Sequence, residues 1–306
     1  MQRVLSTVIL LGLLLASAAA FAITEHLKLI KSPIYKTDVT TVFSPVCGCA
    51  TDRAKIIFSL RSPDTITVTI VDSSGKAVAT LATDRSVPKG KVTFYWDGRT
   101  DDGTVVPDAS AYQPQVEFPR RTIRMPNRIL VDTSAPTVVS ATDGDGLLIP
   151  GDHALKIDYV LSGKARAAGY VDGRRVFLSR SKQPRGQVNW NGKRLGKPLP
   201  PGRYVLEVGA VDVAGNETPA AERKRVVVHI EDIALGETTI HARAGARFTV
   251  DVRTGATQYT WVFAGNRDSA EAPRLRLRAP SHRGRYRLVV TAQGHSTRAT
   301  VIVGAP

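Results

Sequence analysis

A motif that occurs twice constrains this chain more than any other feature. Trp96-Asp97-Gly98, followed by Gly103, Pro107 and Tyr112, returns as Trp190-Asn191-Gly192, followed by Gly196, Pro200, Gly202 and Tyr204. A repeat on that scale predicts two domains built on one plan. Beyond Pro33 the sequence carries no long amphipathic helix. Short alternating or apolar runs recur instead, each bounded by Gly, Pro, Asp or Ser, which is the pattern of a multi-stranded sandwich. In Thr65-Ile66-Thr67-Val68-Thr69-Ile70-Val71, Ile66, Val68 and Ile70 fall on one face and the threonines on the other, as in a half-buried strand. Asp72-Ser73-Ser74-Gly75 then turns the chain into the run from Val78 to Leu81, predicting a hairpin. Between the two copies, Asp132-Thr133-Ser134-Ala135-Pro136 reads as a linker, because its proline favours an extended chain and offers no N–H to a ladder.

After His229 the repeat changes character. Runs at Ala246 to Val252, Tyr259 to Phe263, Arg274 to Arg278, Gly284 to Ala292 and Thr297 to Val303 predict a third, smaller strand set. Trp261 is its candidate core tryptophan, and Gly284-Arg285-Tyr286 is similar to the tyrosine-corner region of immunoglobulin-type domains. Trp96, Trp190 and Trp261 all lie in or at the end of predicted strands, so burial is expected for each.

The series "FSPVCGC", "IIFSL", "VTIVDSSGKAVATL" and "VTFYWDGRTDDGTVVPDASAY" resembles the immunoglobulin-like domain named after the flagellar hook-capping protein, over roughly Thr37 to Phe118. The second repeat is similar through "VNWNGKRLGKPLPPGRYVLEVGAVDVAGNE". The resemblance implies a fibronectin-like sandwich that acts as a spacer or interaction module of exported bacterial proteins, with no catalysis and no cofactor. The expected class is therefore all-β: an N-terminal membrane or signal helix and stalk over 1–36, then three tandem immunoglobulin-like sandwiches over 37–131, 132–232 and 233–306.

The N-terminus sets the expected location. Val4 to Ala22 is apolar or small, interrupted only by Ser6, Thr7, Gly12 and Ser17, and Ala20-Phe21-Ala22 fits a cleavage site. The run also approaches the roughly 20 residues that span a bilayer, so a cleaved signal and an uncleaved membrane anchor both stay open. Either way the bulk of the chain is expected outside the cytoplasm, secreted or held by the N-terminal helix. A formal charge of +15 favours anionic partners. Outside the cytoplasm these are an anionic cell-envelope polymer, lipid headgroups or another envelope protein, with no role for nucleic acid.

The two cysteines, Cys47 and Cys49, stand one residue apart in "FSPVCGC", where the resembling family has a glycine turn. In an unreduced compartment a local Cys47–Cys49 disulfide pinning the opening turn is the first reading. Such a small ring is comparatively reducible and adds little stability by loop closure. Two free structural thiols, a redox-active pair and half of an intermolecular metal site are the alternatives.

The last segment is arginine-rich and free of lysine. Arg274, Arg276 and Arg278 share one strand face and Arg283, Arg285 and Arg287 form a second row, together a candidate guanidinium patch for phosphate or carboxylate. A solvated sheet face is the plainer reading. Asp97, Asp101, Asp102 and Asp108 read as turn formers. Asp143, Asp145 and Asp152 are weak calcium candidates without the spacing of a helix–loop–helix site. The sequence holds no H-E-x-x-H, G-x-S-x-G or complete phosphate-loop motif, so an enzyme is not expected. A spacer or adhesion protein with a basic distal domain is the leading expectation. A carbohydrate-binding protein that stacks sugars on exposed tryptophans is the alternative.

Overall fold

The computed structural model describes residues 11–21, 31–108, 110–143 and 146–304, with Asp143 through its backbone alone. Residues 11–21 are helical, and among the described residues no helix is long and apolar enough to cross a membrane. The rest of the expected export segment falls outside the described residues. The chain parts into two compact units between Asp132 and Thr133.

The first unit contains one sandwich. A three-stranded sheet takes the strands Ile34–Val39, Ala54–Leu60 and Gly90–Trp96 in that order. The facing sheet runs Val42–Phe43, Ile129–Val131, Ala111–Phe118, Asp64–Val71 and Ala77–Val87, with Arg121–Arg124 also paired to Ala111–Phe118. Ile66, Val68 and Ile70 are buried between the sheets while the threonines between them are not, as the alternation predicts. The hairpin partner runs on to Val87, beyond the predicted end at Leu81.

The second unit contains two sandwiches, each with its own core. In one, the sheet Val138–Asp143, Leu155–Leu161, Arg185–Trp190 faces the sheet Leu147–Leu148, Lys224–Ile230, Gly202–Val211, Arg166–Val171, Arg174–Leu178. In the other, Ile233–Leu235, Arg247–Thr254, Arg274–Arg278 faces Thr239–Arg243, His295–Gly304, Gly284–Ala292, Gln258–Phe263, Asn266–Glu271. The second and third sandwiches thus oppose three strands to five and the first opposes three to six, and each of the three brings a short strand alongside its last one in parallel: Val42–Phe43 with Ile129–Val131, Leu147–Leu148 with Lys224–Ile230, and Thr239–Arg243 with His295–Gly304. The third strand set is therefore a further copy of the plan, and the change in sequence after His229 is one of side chains.

The repeated motif has a physical basis. The indoles of Trp96 and Trp190 end equivalent strands with their rings in the core, and each donates from Nε1 to a carbonyl three residues on, Arg99 at 2.8 Å and Lys193 at 3.0 Å. The glycine after each tight step has a φ of +74°, a conformation that side chains other than glycine rarely adopt. Space forbids a side chain too: a Cβ on Gly98 would lie 3.0 Å from the Phe43 ring, and one on Gly192 would lie 2.8 Å from Leu148. Both obstacles belong to the short parallel strand, so the motif glycine lets that strand approach the core tryptophan.

Within the second unit the two sandwiches touch closely. A Cβ on Gly255 would lie 2.1 Å from the carbonyl oxygen of Pro150, so backbone meets backbone there. Beside this contact, Arg253 lies 2.7 Å from Nε2 of His153 and 3.5 Å from the Asp152 carboxylate, and the Thr254 hydroxyl donates to the Asp232 carbonyl at 2.8 Å.

Candidate functional site

The arginine rows of the third sandwich lie on two different sheets. Arg274, Arg276 and Arg278 belong to the edge strand of the three-stranded sheet, where Leu275 and Leu277 point into the core and the arginines point out. Arg285 and Arg287 belong to the five-stranded sheet, where Leu288 and Val290 fill the same core from the other side. The rows therefore face away from each other, and the single patch expected from sequence does not form. Arg283 precedes the strand Gly284–Ala292 and stands exposed in the loop before it.

The two faces differ in charge balance. On the three-stranded face Asp251 sits opposite Arg274 and pairs with it at 3.8 Å, while Arg278 donates from Nε to the Gly245 carbonyl at 2.8 Å. Arg247 lies directly across from Arg278, a like-charge neighbour. On the five-stranded face Arg298 joins Arg285 and Arg287. Val289 is the residue opposite Arg298 and Arg287 precedes it by two, so Arg287 and Arg298 are diagonal neighbours. His241 lies beyond Ile302, the residue opposite Arg285, and Arg243 follows two residues on. None of Arg285, Arg287 and Arg298 has an ion-pair partner among the described residues.

Register explains why Arg298 escaped the sequence reading. Ala292 and His295 pair across a two-residue turn whose central residues, Gln293 and Gly294, have φ values of +52° and +84°. Positive φ at both positions matches the twist of a tight hairpin, and the Gln-Gly pair between two apolar runs was the available signal. Counting back from it pairs Arg298 with Val289.

Cys47 and Cys49 are bonded to each other. Both are partly exposed, and neither belongs to the core, which the nearby Phe43 joins. Gly48 between them has a φ of +60°. Sγ of Cys47 lies 3.3 Å from the Ser44 carbonyl oxygen, and Sγ of Cys49 lies 3.1 Å from the Thr51 hydroxyl.

The aspartates serve turns. Asp97 accepts from the Arg99 amide, Asp101 from the Thr80 amide and hydroxyl, and Asp102 from the Thr104 amide and the Thr100 hydroxyl. The Thr100 hydroxyl and the Thr104 amide hold the Asp102 carboxyl below its ordinary pKa. Asp152 is engaged by His153 at 2.9 Å and by Arg253, which makes it an ion-pair acceptor. Asp145 lies outside the described residues, as does the side chain of Asp143. No group of three metal-ligating side chains occurs among the described residues.

These features sit in sandwiches whose first member carries a recognisable sequence. Residues 49–118 match the FlgD Ig-like domain family. No curated protein sequence matches the chain. Solved structures similar to it include the I9–I11 tandem of titin, at 12% identity over 89% of this chain and 99% of that one, with a TM-score of 0.32. The SGBP-B protein of a Bacteroides ovatus mixed-linkage glucan utilization locus, solved with a heptasaccharide, is 14% identical over 90% of this chain and 70% of that one, with a TM-score of 0.31. A bacterial ice-binding adhesin is 13% identical over 90% and 100%, with a TM-score of 0.27.

The core tryptophan of the FlgD-type sandwich, Trp96, is 1% exposed, and Trp190 in the next sandwich is 2% exposed. Neither presents a ring face to a sugar. Trp261 departs from the expected burial: it packs against the third core from the rim, partly open to solvent, because its strand neighbour toward the sheet edge is the polar Asp268.

Proposed function

We propose that this protein is a non-enzymatic, extracytoplasmic interaction module in which the FlgD-type sandwich and its neighbour act as spacers and the third sandwich binds an anionic polymer of the cell envelope. The observation that carries this reading is the five-stranded face on which Arg285, Arg287 and Arg298 stand without carboxylate partners among the described residues. Residues two apart on a strand are about 7 Å apart and adjacent strands about 5 Å, so three guanidinium groups there span two or three anionic units of a polymer. Guanidinium is the side chain best suited to such a role, being permanently charged and shaped for bidentate contact with phosphate or carboxylate. The three-stranded face is the poorer candidate because Asp251 and the Gly245 carbonyl already occupy two of its arginines.

The test is binding of the full chain to polyphosphate and to polygalacturonate across a salt series. Arg285→Gln/Arg287→Gln/Arg298→Gln is expected to weaken binding by tenfold or more, on the order of 1.4 kcal/mol or above. Arg274→Gln/Arg276→Gln/Arg278→Gln removes the same formal charge and is expected to weaken it much less. Equal losses from both triple variants would show that net charge alone binds the polymer and would overturn the assignment. Binding that does not weaken with salt would overturn it as well, since exposed ion pairs are screened.

A further inference from the structure

The disulfide at the opening turn has no evident structural work to do. It joins residues two apart and encloses only Gly48, so loop closure contributes less to the fold than it would for any longer loop. Both cysteines lie outside the core, and Val46, Gly48 and Ala50 around them are exposed, Val46 at 55%. Linkage makes this reciprocal: a bond that does not stabilise the fold is not stabilised by the fold. The pair therefore keeps the reducibility of a bare Cys-Gly-Cys segment, a small ring of the labile kind, while remaining open to solvent.

The surroundings of the two sulfurs are unequal. The Thr51 hydroxyl, 3.1 Å from Sγ of Cys49, donates to that sulfur, because a disulfide sulfur carries no proton of its own. The same hydroxyl would stabilise a thiolate there. Sγ of Cys47 instead faces the Ser44 carbonyl oxygen at 3.3 Å, the negative end of a dipole, which disfavours a thiolate. Cys49 is thus the better leaving group and Cys47 the sulfur open to attack.

We propose that Cys47–Cys49 is a thiol–disulfide exchange site that oxidises a dithiol partner. A partner thiolate attacks Sγ of Cys47. The partner–Cys47 bond forms as the Cys47–Cys49 bond breaks, and the electron pair leaves on Sγ of Cys49 beside the Thr51 hydroxyl. The partner's second thiolate then attacks its own sulfur in the mixed disulfide and expels the Cys47 thiolate. Two electrons pass from the partner, which becomes a disulfide, to the Cys47/Cys49 pair, and the two protons of the partner end on the pair's thiols. A small-molecule disulfide restores the oxidised pair by the reverse exchange.

The experiment uses the native full chain in glutathione redox buffers, with maleimide trapping and mass analysis, beside a peptide of residues 46–50. The chain is expected to reach half-reduction at the same glutathione ratio as the peptide, within about threefold, and reduction is expected to leave the thermal midpoint unchanged within about 2 °C. The transient glutathione adduct is expected on Cys47. Thr51→Val is expected to slow opening at least threefold, with Thr51→Ser restoring the rate. A chain much harder to reduce than the peptide, or a midpoint that drops by several degrees on reduction, would show a structural clasp and overturn the proposal. An adduct found on Cys49, or a Thr51→Val rate equal to wild type, would overturn the direction of attack.

Discussion

The hydroxyl of Tyr286 donates to the carbonyl oxygen of His282 at 3.0 Å, closing in the third sandwich the corner that Tyr204 closes on Pro200 at 2.9 Å in the second. In both, a glycine two residues earlier lies under the ring: a Cβ would meet the Tyr286 ring at 3.4 Å from Gly284 and the Tyr204 ring at 3.6 Å from Gly202. In the first sandwich Tyr112 makes the longer equivalent bond, 3.3 Å to Pro107. Tyr286→Phe keeps the ring and deletes the bond, so it is expected to cost about 1 kcal/mol in urea unfolding. A cost near zero would mean that the corner is fixed by ring packing alone.

Tyr259 presents the opposite case. Its ring lies in the third core, and its hydroxyl has no hydrogen-bond partner among the described residues. Burial alone pushes its phenol above the ordinary pKa. Tyr259→Phe removes an unsatisfied polar group without opening a cavity, so it is expected to be neutral or stabilising by about 1 kcal/mol. Loss of stability in the same urea assay would reveal a partner for the hydroxyl.

These two tyrosines show what could be read from the sequence and what could not. The corner was legible because Gly-Arg-Tyr sits at the start of a strand in two places, and the alternation in Arg274–Arg278 placed Leu275 and Leu277 inside. The motif residues Trp96 and Trp190 were legible as core for the same reason. Which sheet each arginine row joins was not legible, since alternation fixes the face of a strand and says nothing of its partners. Long-range pairing decides that, and it put Arg276 and Arg287 on opposite sides of one core. The strands Thr239–Arg243 and Asn266–Glu271 were missed because they are edge strands, and Asn266–Glu271 buries almost nothing. The polar partner of Trp261 on the latter strand is why that ring is not closed over.

The junction inside the second unit rests on a backbone contact that tolerates no side chain. Gly255→Ala would set a Cβ 2.1 Å from the Pro150 oxygen and 3.0 Å from Cα of Gly151, and backbone cannot rotate away as a side chain can. Overpacking of this kind costs about 1–3 kcal/mol. The substitution is expected to lower the thermal midpoint of the second unit and to raise protease sensitivity near Asp232, while leaving the first sandwich unaffected. An unchanged midpoint would show that the two sandwiches separate at negligible cost.

Alkaline pH offers a separate probe, centred on Tyr170. Burial pushes its phenol up to about 12, and the Glu217 carboxylate that accepts its hydrogen bond at 2.9 Å adds to the effect. Arg223, whose guanidinium lies 3.5 Å from the ring centroid, and Arg175 pull the other way without cancelling it. An unfolded tyrosine titrates near pH 10, so between about pH 10 and pH 12 the folded chain keeps a proton that the unfolded chain has lost. Unfolding then releases a proton, and stability falls as pH rises through that window. The contribution is fully present below about pH 10 and is gone above about pH 12, a loss on the order of 2 kcal/mol. Tyr170→Phe forgoes the bond to Glu217 at every pH but has no proton to lose. Urea unfolding of the variant is therefore expected to start lower at neutral pH and to decline less steeply across the window. Parallel curves for the two proteins would mean that Tyr170 titrates as an ordinary exposed phenol.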